Sequence, residues 1–170
     1  MAFFLAGIPT WNDADIMLYH GTVGIYVASI LQRIDLSLSQ PLRDFGKGFY
    51  TTTNQLQAEL RARERAKQLG DVPAVIAFAV ERNTLAQLDS LCFVRSSPAA
   101  TDYWSFVQNC RNTGRHDRRH AIMYDLVVGP VTGDWKKQTA IPDGDQISFH
   151  TDRAVYVLDV LAGARKRQVT

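Results

Sequence analysis

The sequence predicts an α+β domain built on a largely antiparallel sheet, and three observations carry that expectation. Short β-branched and aromatic runs recur along the chain, from Met17-Leu18-Tyr19 to Ile147-Ser148-Phe149. Helix-forming composition is confined to the first half and to the neighbourhood of residue 105. No glycine-rich strand-to-helix turn carries a dinucleotide fingerprint, so a doubly wound parallel sheet is not expected.

Residues 16–20 read as a strand that ends on His20 and Gly21. Thr22 is placed to cap a helix over residues 23–32, where Ile25, Val27, Ile30 and Leu31 recur near helical spacing. Residues 33–47, with Pro41 and Gly46, read as an irregular loop that releases the chain into a strand over Phe49–Thr52. Asn54 then caps a helix to about residue 69, rich in Gln, Ala, Leu, Glu and Arg and closed by Gly70. Ala74–Val80 is nearly all apolar, the composition of a buried central strand. Further strands are expected over Leu88–Val94, over Ile122–Val128 (closed by Gly129-Pro130) and over Ile147–His150. A short helix over Asp102–Arg111 carries Trp104 and Phe106, which read as packing residues, and residues 154–161 fit either a helix or a last strand.

With 170 residues, 46% hydrophobic and 21% charged, the chain suits one domain with a substantial core, and disordered or fibrous classes are excluded. No repeat, low-complexity tract or long linker divides it, so residues 1–170 are taken as a single domain. The net charge of +2 is too small to point to a nucleic-acid or membrane partner on bulk charge alone. The basic runs Arg61–Lys67, Arg111–Arg119 and Arg165–Gln168 read as solvated faces and a tail, with a nucleic-acid surface as the alternative. Cys92 and Cys110 lack metal-ligand spacing and read as reduced, packed thiols. The opening Met1–Pro9 has no basic leader and too short an apolar run for a signal peptide. No window approaches the roughly 20 apolar residues of a membrane span, so a cytoplasmic protein is expected. His116, His120 and His150 show no ligand spacing, and no metal is expected. A nucleophile elbow, a Walker-type loop and a Ser/His/Asp triad are likewise missing from the sequence.

Three segments carry a resemblance: Tyr19-His20-Gly21-Thr22, then Asp44-Phe45-Gly46-Lys47-Gly48-Phe49-Tyr50, then Asp145-Gln146-Ile147-Ser148-Phe149-His150. In order and spacing they resemble the bacterial ADP-ribosyltransferase-like domains of the diphtheria-toxin/PARP-like group, whose signature His, Tyr and Glu or Gln lie on three separate strands. Tyr124–Pro130 also resembles a segment of that family between the second and third motifs. The resemblance spans roughly residues 16–160, and each motif alone is short. It implies a split antiparallel β-sandwich with flanking helices, and NAD bound as a substrate in a cleft between two small sheets.

The resemblance implies that His20 hydrogen-bonds ribose hydroxyls of NAD, which the donor and acceptor of a neutral imidazole suit. Gly21 would let the backbone approach the nicotinamide amide, and Thr22 would add a hydroxyl. A strand-end histidine, with Gly21 simply turning the chain, accounts for the same residues. Tyr50 would stack on the nicotinamide, its electron-rich face suiting a cationic ring, while alternation turns Phe49 to the opposite face. Lys47 either reaches the diphosphate or stands solvated. Gln146 takes the position where the better-known members place a glutamate; an amide accepts the ribose hydrogen bond but supplies no negative charge. Ser148 shares its face and Asp145 turns away. The implied catalytic residues are His20, Tyr50 and Gln146, and the implied NAD-binding set is His20, Gly21, Thr22, Lys47, Phe49, Tyr50 and Ser148.

The activity so implied is mono-ADP-ribosyl transfer from NAD to a macromolecular acceptor, protein or nucleic acid, by a bacterial toxin or effector. A neutralising antitoxin or immunity protein is the implied partner. NAD glycohydrolysis, with water as acceptor, is the nearest alternative. A catalytically silent NAD-binding module is a second, kept open by Gln146. Acceptor choice would lie in loops 33–47 and 110–120.

Overall fold

The computed structural model describes residues 15–94, 100–116, 123–161 and 166–169. The expectations for the N-terminal apolar segment, for His120 and for a strand beginning at Ile122 lie outside the described residues. In chain order the elements are β1 (Ile16–Val23), α1 (Gly24–Gln32), β2 (Phe49–Thr51), α2 (Gln55–Leu69), β3 (Pro73–Val80) and α3 (Arg82–Leu85). They continue as β4 (Ser90–Cys92), α4 (Ala100–Thr113), β5 (Leu126–Asp134), β6 (Thr139–Phe149), α5 (Asp152–Tyr156) and β7 (Lys166–Gln168). A 3-10 turn at Leu36–Leu38 interrupts the long loop, and a π-type turn at Val157–Leu161 extends α5.

The strands form two sheets, ordered β1-β3-β7 and β2-β6-β5-β4, so the chain is α+β. Pairing is antiparallel except between β4 and β5. A single rung joins the sheets: Tyr19 and Thr52 exchange backbone hydrogen bonds of 2.8 and 3.0 Å. Leu18, Ile76 and Phe78 of one sheet share a core with Phe49, Ile147 and Phe149 of the other. A second cluster packs α4 and the loop before β2 on Val127, through Phe45, Tyr103, Phe106 and Val107. Trp104 is partly buried against that cluster. β3 is apolar throughout because both its faces are covered, one by the shared core and the other by Ala58 and Ala62 of α2.

α2 starts and stops where its composition implies. The Asn54 side chain accepts from the Gln57 N–H at 3.2 Å, and Gly70 ends the helix in the left-handed region with φ of 67°.

Several expectations are corrected. Thr22 does not cap α1: the β1–β3 ladder runs on to Val23 opposite Pro73, which consumes Thr22 as a buried strand residue. The first turn of α1 is held instead by Asp71, whose carboxylate accepts from the Ile25 N–H at 2.9 Å. β5 does not close at Gly129-Pro130 but runs to Asp134, with a register shift just past Pro130 that accommodates the proline. Its partner β6 begins at Thr139, because cross-strand pairing overrides the polar composition of its first residues. The strand expected over Leu88–Val94 shortens to Ser90–Cys92, which leaves Cys92 exposed on an edge strand while Cys110 is buried; neither is in a disulfide. Residues 154–161 are helical. Among the described residues no helix is long and apolar enough to cross a membrane.

Candidate functional site

β1 and β2 lie in different sheets and meet in one rung, so the outer edge of β2 beyond it is left to side chains. His20 occupies that edge. Its ring stacks on Phe49 with centroids 4.3 Å apart, and its Nδ1 lies 2.7 Å from the Tyr50 carbonyl oxygen. A carbonyl only accepts, so Nδ1 carries the hydrogen and Nε2 keeps a bare lone pair. Burial lowers the His20 pKa to about 4; the Tyr50 carbonyl opposes that shift, and the charges of Arg65 and Arg61 add to it. At neutral pH Nε2 of His20 is therefore an acceptor and the ring offers no donor–acceptor pair, which narrows what it can hold to a hydroxyl or N–H.

Tyr50 extends from the opposite face of β2 and is anchored at its phenol end. Its hydroxyl donates to the Gly46 carbonyl at 2.7 Å and accepts from the Phe45 N–H at 3.0 Å. Its pKa is pushed up, chiefly by burial, so the phenol stays neutral. The loop it grips is tight: Gly46 has φ of +78°, and a Cβ there would lie 2.8 Å from the Gly114 carbonyl oxygen. The ring of His150 meets Tyr50 edge to face at 6.3 Å. Tyr50 is a half-buried aromatic whose orientation is fixed before any ligand arrives.

Gln146 reaches the same face. Tyr50 pairs with Ser148, which puts Gln146 two residues further along β6 with its side chain on Tyr50's side of the sheet. Its Nε2 donates to Asp44 Oδ2 at 2.8 Å and to the Pro130 carbonyl at 2.9 Å. Both amide hydrogens are thus committed, and Oε1 is the part of the side chain with no hydrogen bond. Asp44 is itself buried, accepting from Arg111 Nε at 2.8 Å, the Thr132 hydroxyl at 2.8 Å and the Thr132 N–H at 3.1 Å. Residues 44–46 therefore hold both Tyr50 and Gln146, the first by its hydroxyl and the second by its amide.

The structure brings Tyr50 and Gln146 to one face and ties His20 to Tyr50 through the backbone. Gly21 lies against α2, where a Cβ would sit 2.1 Å from the Ala58 carbonyl oxygen. Its role in this fold is close strand–helix approach. Lys47 is half-buried, and its carbonyl accepts from His150 Nδ1 at 2.7 Å. Thr22 and Ser148, expected at the cleft surface, are interior side chains, and Phe49, named in the NAD-binding set, is turned into the core as alternation implies. Ser148 donates to His150 Nε2 at 2.7 Å, an arrangement sealed from solvent. Asp145 turns away, as alternation implies, and accepts from Thr53 N–H and hydroxyl.

Asp44, Thr132 and Arg111 adjoin Gln146 in a way that motif order alone does not show. Asp44 lies inside the second motif segment, but only the fold shows that β5 and β6 carry Thr132 and Gln146 up to it. A hollow of about 280 Å³ lined by Thr101, Trp104, Ser105, Gln108 and Gln138 lies along α4, and none of these residues belongs to the His20–Tyr50–Gln146 set. Among the described residues no group of histidine, cysteine or carboxylate side chains is arranged to hold a metal ion.

A family described as "Protein of unknown function (DUF3990)" matches residues 16–142, a span that includes His20 and Tyr50 and stops short of Gln146. No curated protein and no solved structure matches the chain.

Proposed function

The chain belongs to the DUF3990 family of proteins of unknown function, and we propose that it is an NAD-dependent mono-ADP-ribosyltransferase. The observation that carries this reading is the His20 Nδ1–Tyr50 carbonyl bond, which ties a neutral histidine acceptor to the backbone of the residue whose ring is anchored. A ribose hydroxyl donates to His20 Nε2, and the cationic nicotinamide stacks on Tyr50, where a cation–π contact contributes on the order of 1 kcal/mol or more when desolvated. Gln146 Oε1 accepts from the second ribose. The glycosidic C–N bond then breaks, nicotinamide leaves with the electron pair, and an acceptor nucleophile attacks the exposed anomeric carbon and loses its proton. Positioning and local electrostatics account for the rate, so few titrating side chains are needed.

In this reading the split of the two sheets at the Tyr19–Thr52 rung is the NAD cleft of an ADP-ribosyltransferase-like sandwich. The acceptor is a macromolecule, the protein acts in a bacterium as a toxin or effector, and a neutralising antitoxin is its partner. NAD glycohydrolysis is the same chemistry with water as acceptor.

One observation favours a second reading, a silent NAD-binding module: both hydrogens of the Gln146 amide are spent inside the protein and the third position holds no carboxylate. Release of nicotinamide from NAD by purified protein, with Tyr50→Ala as control, decides between them. Release by wild type and its loss in the variant support the transferase. NAD binding with no release under any acceptor condition overturns it, and labelled ADP-ribose recovered only in free form points to hydrolysis.

A further inference from the structure

Thr101, Trp104, Ser105 and Gln108 recur at intervals of three and four residues, so they share one face of α4. That face and Gln138, from the turn between β5 and β6, line the hollow of about 280 Å³. Both walls are held in place by the fold itself. Tyr103 donates from α4 to the Pro130 carbonyl at 2.8 Å, and Trp104 of the helix and Trp135 of the hairpin pack on the same aromatic cluster. The turn is tied by Asp134, whose carboxylate accepts from the Lys136 and Lys137 N–H groups at 3.0 and 3.3 Å. The Asp134 N–H in turn donates to the Thr139 hydroxyl oxygen at 3.0 Å. Within this turn Gln138 stands at φ of 54°, in the left-handed region where glycine is free and a residue with a Cβ is strained. A glutamine kept there against that strain points to a use for its side chain.

None of the five lining side chains is charged: they offer an indole ring, two hydroxyls and two carboxamides. Neither carboxamide is hydrogen-bonded among the described residues. We propose that this hollow is a nucleobase pocket, a second site that shares no residue with the His20–Tyr50–Gln146 set and does not depend on the transferase reading. A base is planar and stacks on an indole, and its edge sets a donor and an acceptor in one plane, which a carboxamide matches with two hydrogen bonds. The volume lies just below the roughly 300–1,000 Å³ of pockets for drug-sized ligands, which suits one ring system and its sugar. A saccharide also suits hydroxyls and amides, but the turn that presents Gln138 carries Lys136 and Lys137 beside it, and a nucleotide brings the phosphate that such cations meet. Lys137 is exposed and pairs with Asp134 at 3.5 Å, a surface contact that a phosphate displaces at little cost. A free nucleotide and a base of a single-stranded nucleic acid offer the same chemistry.

Calorimetric titration of the full chain with the ribonucleoside monophosphates and with ribose 5-phosphate tests this, beside anisotropy of a labelled single-stranded oligonucleotide. The variants are Gln138→Gly, Gln108→Ala, the double variant Lys136→Gln/Lys137→Gln, and Tyr50→Ala. At least one monophosphate is expected to bind wild type and Tyr50→Ala alike, and ribose 5-phosphate to bind neither. Gln138→Gly weakens that binding by about tenfold yet melts at or above the wild-type temperature, because glycine relieves the left-handed turn. A residue with a merely structural role does not raise stability and lower affinity in one substitution. Oligonucleotide binding tighter than that of the monophosphate, weakened by salt and by the lysine double variant, identifies a strand as the ligand. Equal affinities identify the free nucleotide. The proposal is overturned if neither probe binds wild type, if ribose 5-phosphate binds as tightly as the monophosphates, or if Gln138→Gly and Gln108→Ala bind as wild type does. Binding lost in Tyr50→Ala and kept in Gln138→Gly belongs to the cleft and overturns it too. Nicotinamide release from NAD is read separately, so either reading can fail while the other stands.

Discussion

The Asp44 carboxylate accepts a hydrogen bond from the Gln146 amide at 2.8 Å, so the negative charge that the third motif position lacks stands directly behind it. Asp44 accounts for the glutamine. A glutamate at position 146 would place a second carboxylate in hydrogen-bond range of a buried first one, where two like charges cannot both ionise cheaply.

Gln146→Glu is therefore expected to destabilise the fold by about 3 kcal/mol, the scale of an uncompensated buried charge. The double variant Asp44→Asn/Gln146→Glu should recover most of that loss. Urea unfolding at neutral pH checks both, and a Gln146→Glu protein as stable as wild type would refute the coupling.

Tyr50 has two separable contributions. Tyr50→Phe keeps the ring but removes the hydroxyl that Gly46 and Phe45 share, so stability should fall by about 1–2 kcal/mol with NAD affinity changed little. Tyr50→Ala should remove NAD binding as well. Equal affinity loss in the two variants would mean that the loop, and not the ring, sets affinity.

The buried histidines give the protein an acid limit. His20 and His150 hold pKa values of about 4 and about 3, against about 6.5 unfolded; burial is the main cause in each, and His116 adds to it at His150. The unfolded chain binds the additional protons, so their contribution is complete above about pH 6.5 and is lost as pH falls toward 4 for His20 and toward 3 for His150. Each histidine sets a slope of up to about 1.4 kcal/mol per pH unit in its window. Unfolding free energies measured from about pH 7 to about pH 5 should fall accordingly, and His20→Asn should flatten the curve. A flat wild-type profile would show that the rings already ionise freely.

Gly21→Ala is expected to cost at least the roughly 1–3 kcal/mol of overpacking, because the atoms that its Cβ meets, Ala58 O and Ala62 N, are helix backbone and cannot rotate away. Thermal melts of wild type and variant read the loss, and an unshifted melt would show that α2 accommodates the methyl group freely.

The legible parts of the chain were those that local chemistry decides. Asn54 and Gly70 bracket α2 with a side-chain cap and a left-handed terminus, and both are written in residue type. The apolar run of β3 announces a strand covered on both faces. By contrast, Thr22 has the chemistry of a helix cap and is a strand residue, because the ladder to β3 outlasts the local preference. Residues 139–146 carry no strand signal of their own, and pairing with β5 alone extends β6 so far. At the site, His20, Tyr50 and Gln146 could be named from motif order, whereas the tautomer of His20 and the hold of Asp44 on Gln146 come from contacts 30 and 102 residues apart in sequence.

The strand order β2-β6-β5-β4 has a consequence for the timing of synthesis. β6 is the inner neighbour of β2 and carries Gln146, yet it leaves the ribosome after β3, β4 and β5. Until it emerges, β2 has no sheet to join, Tyr50 has no fixed bearing and Asp44 has no amide to hold. A chain that stops short of β6 accordingly lacks the face that Tyr50 and Gln146 share.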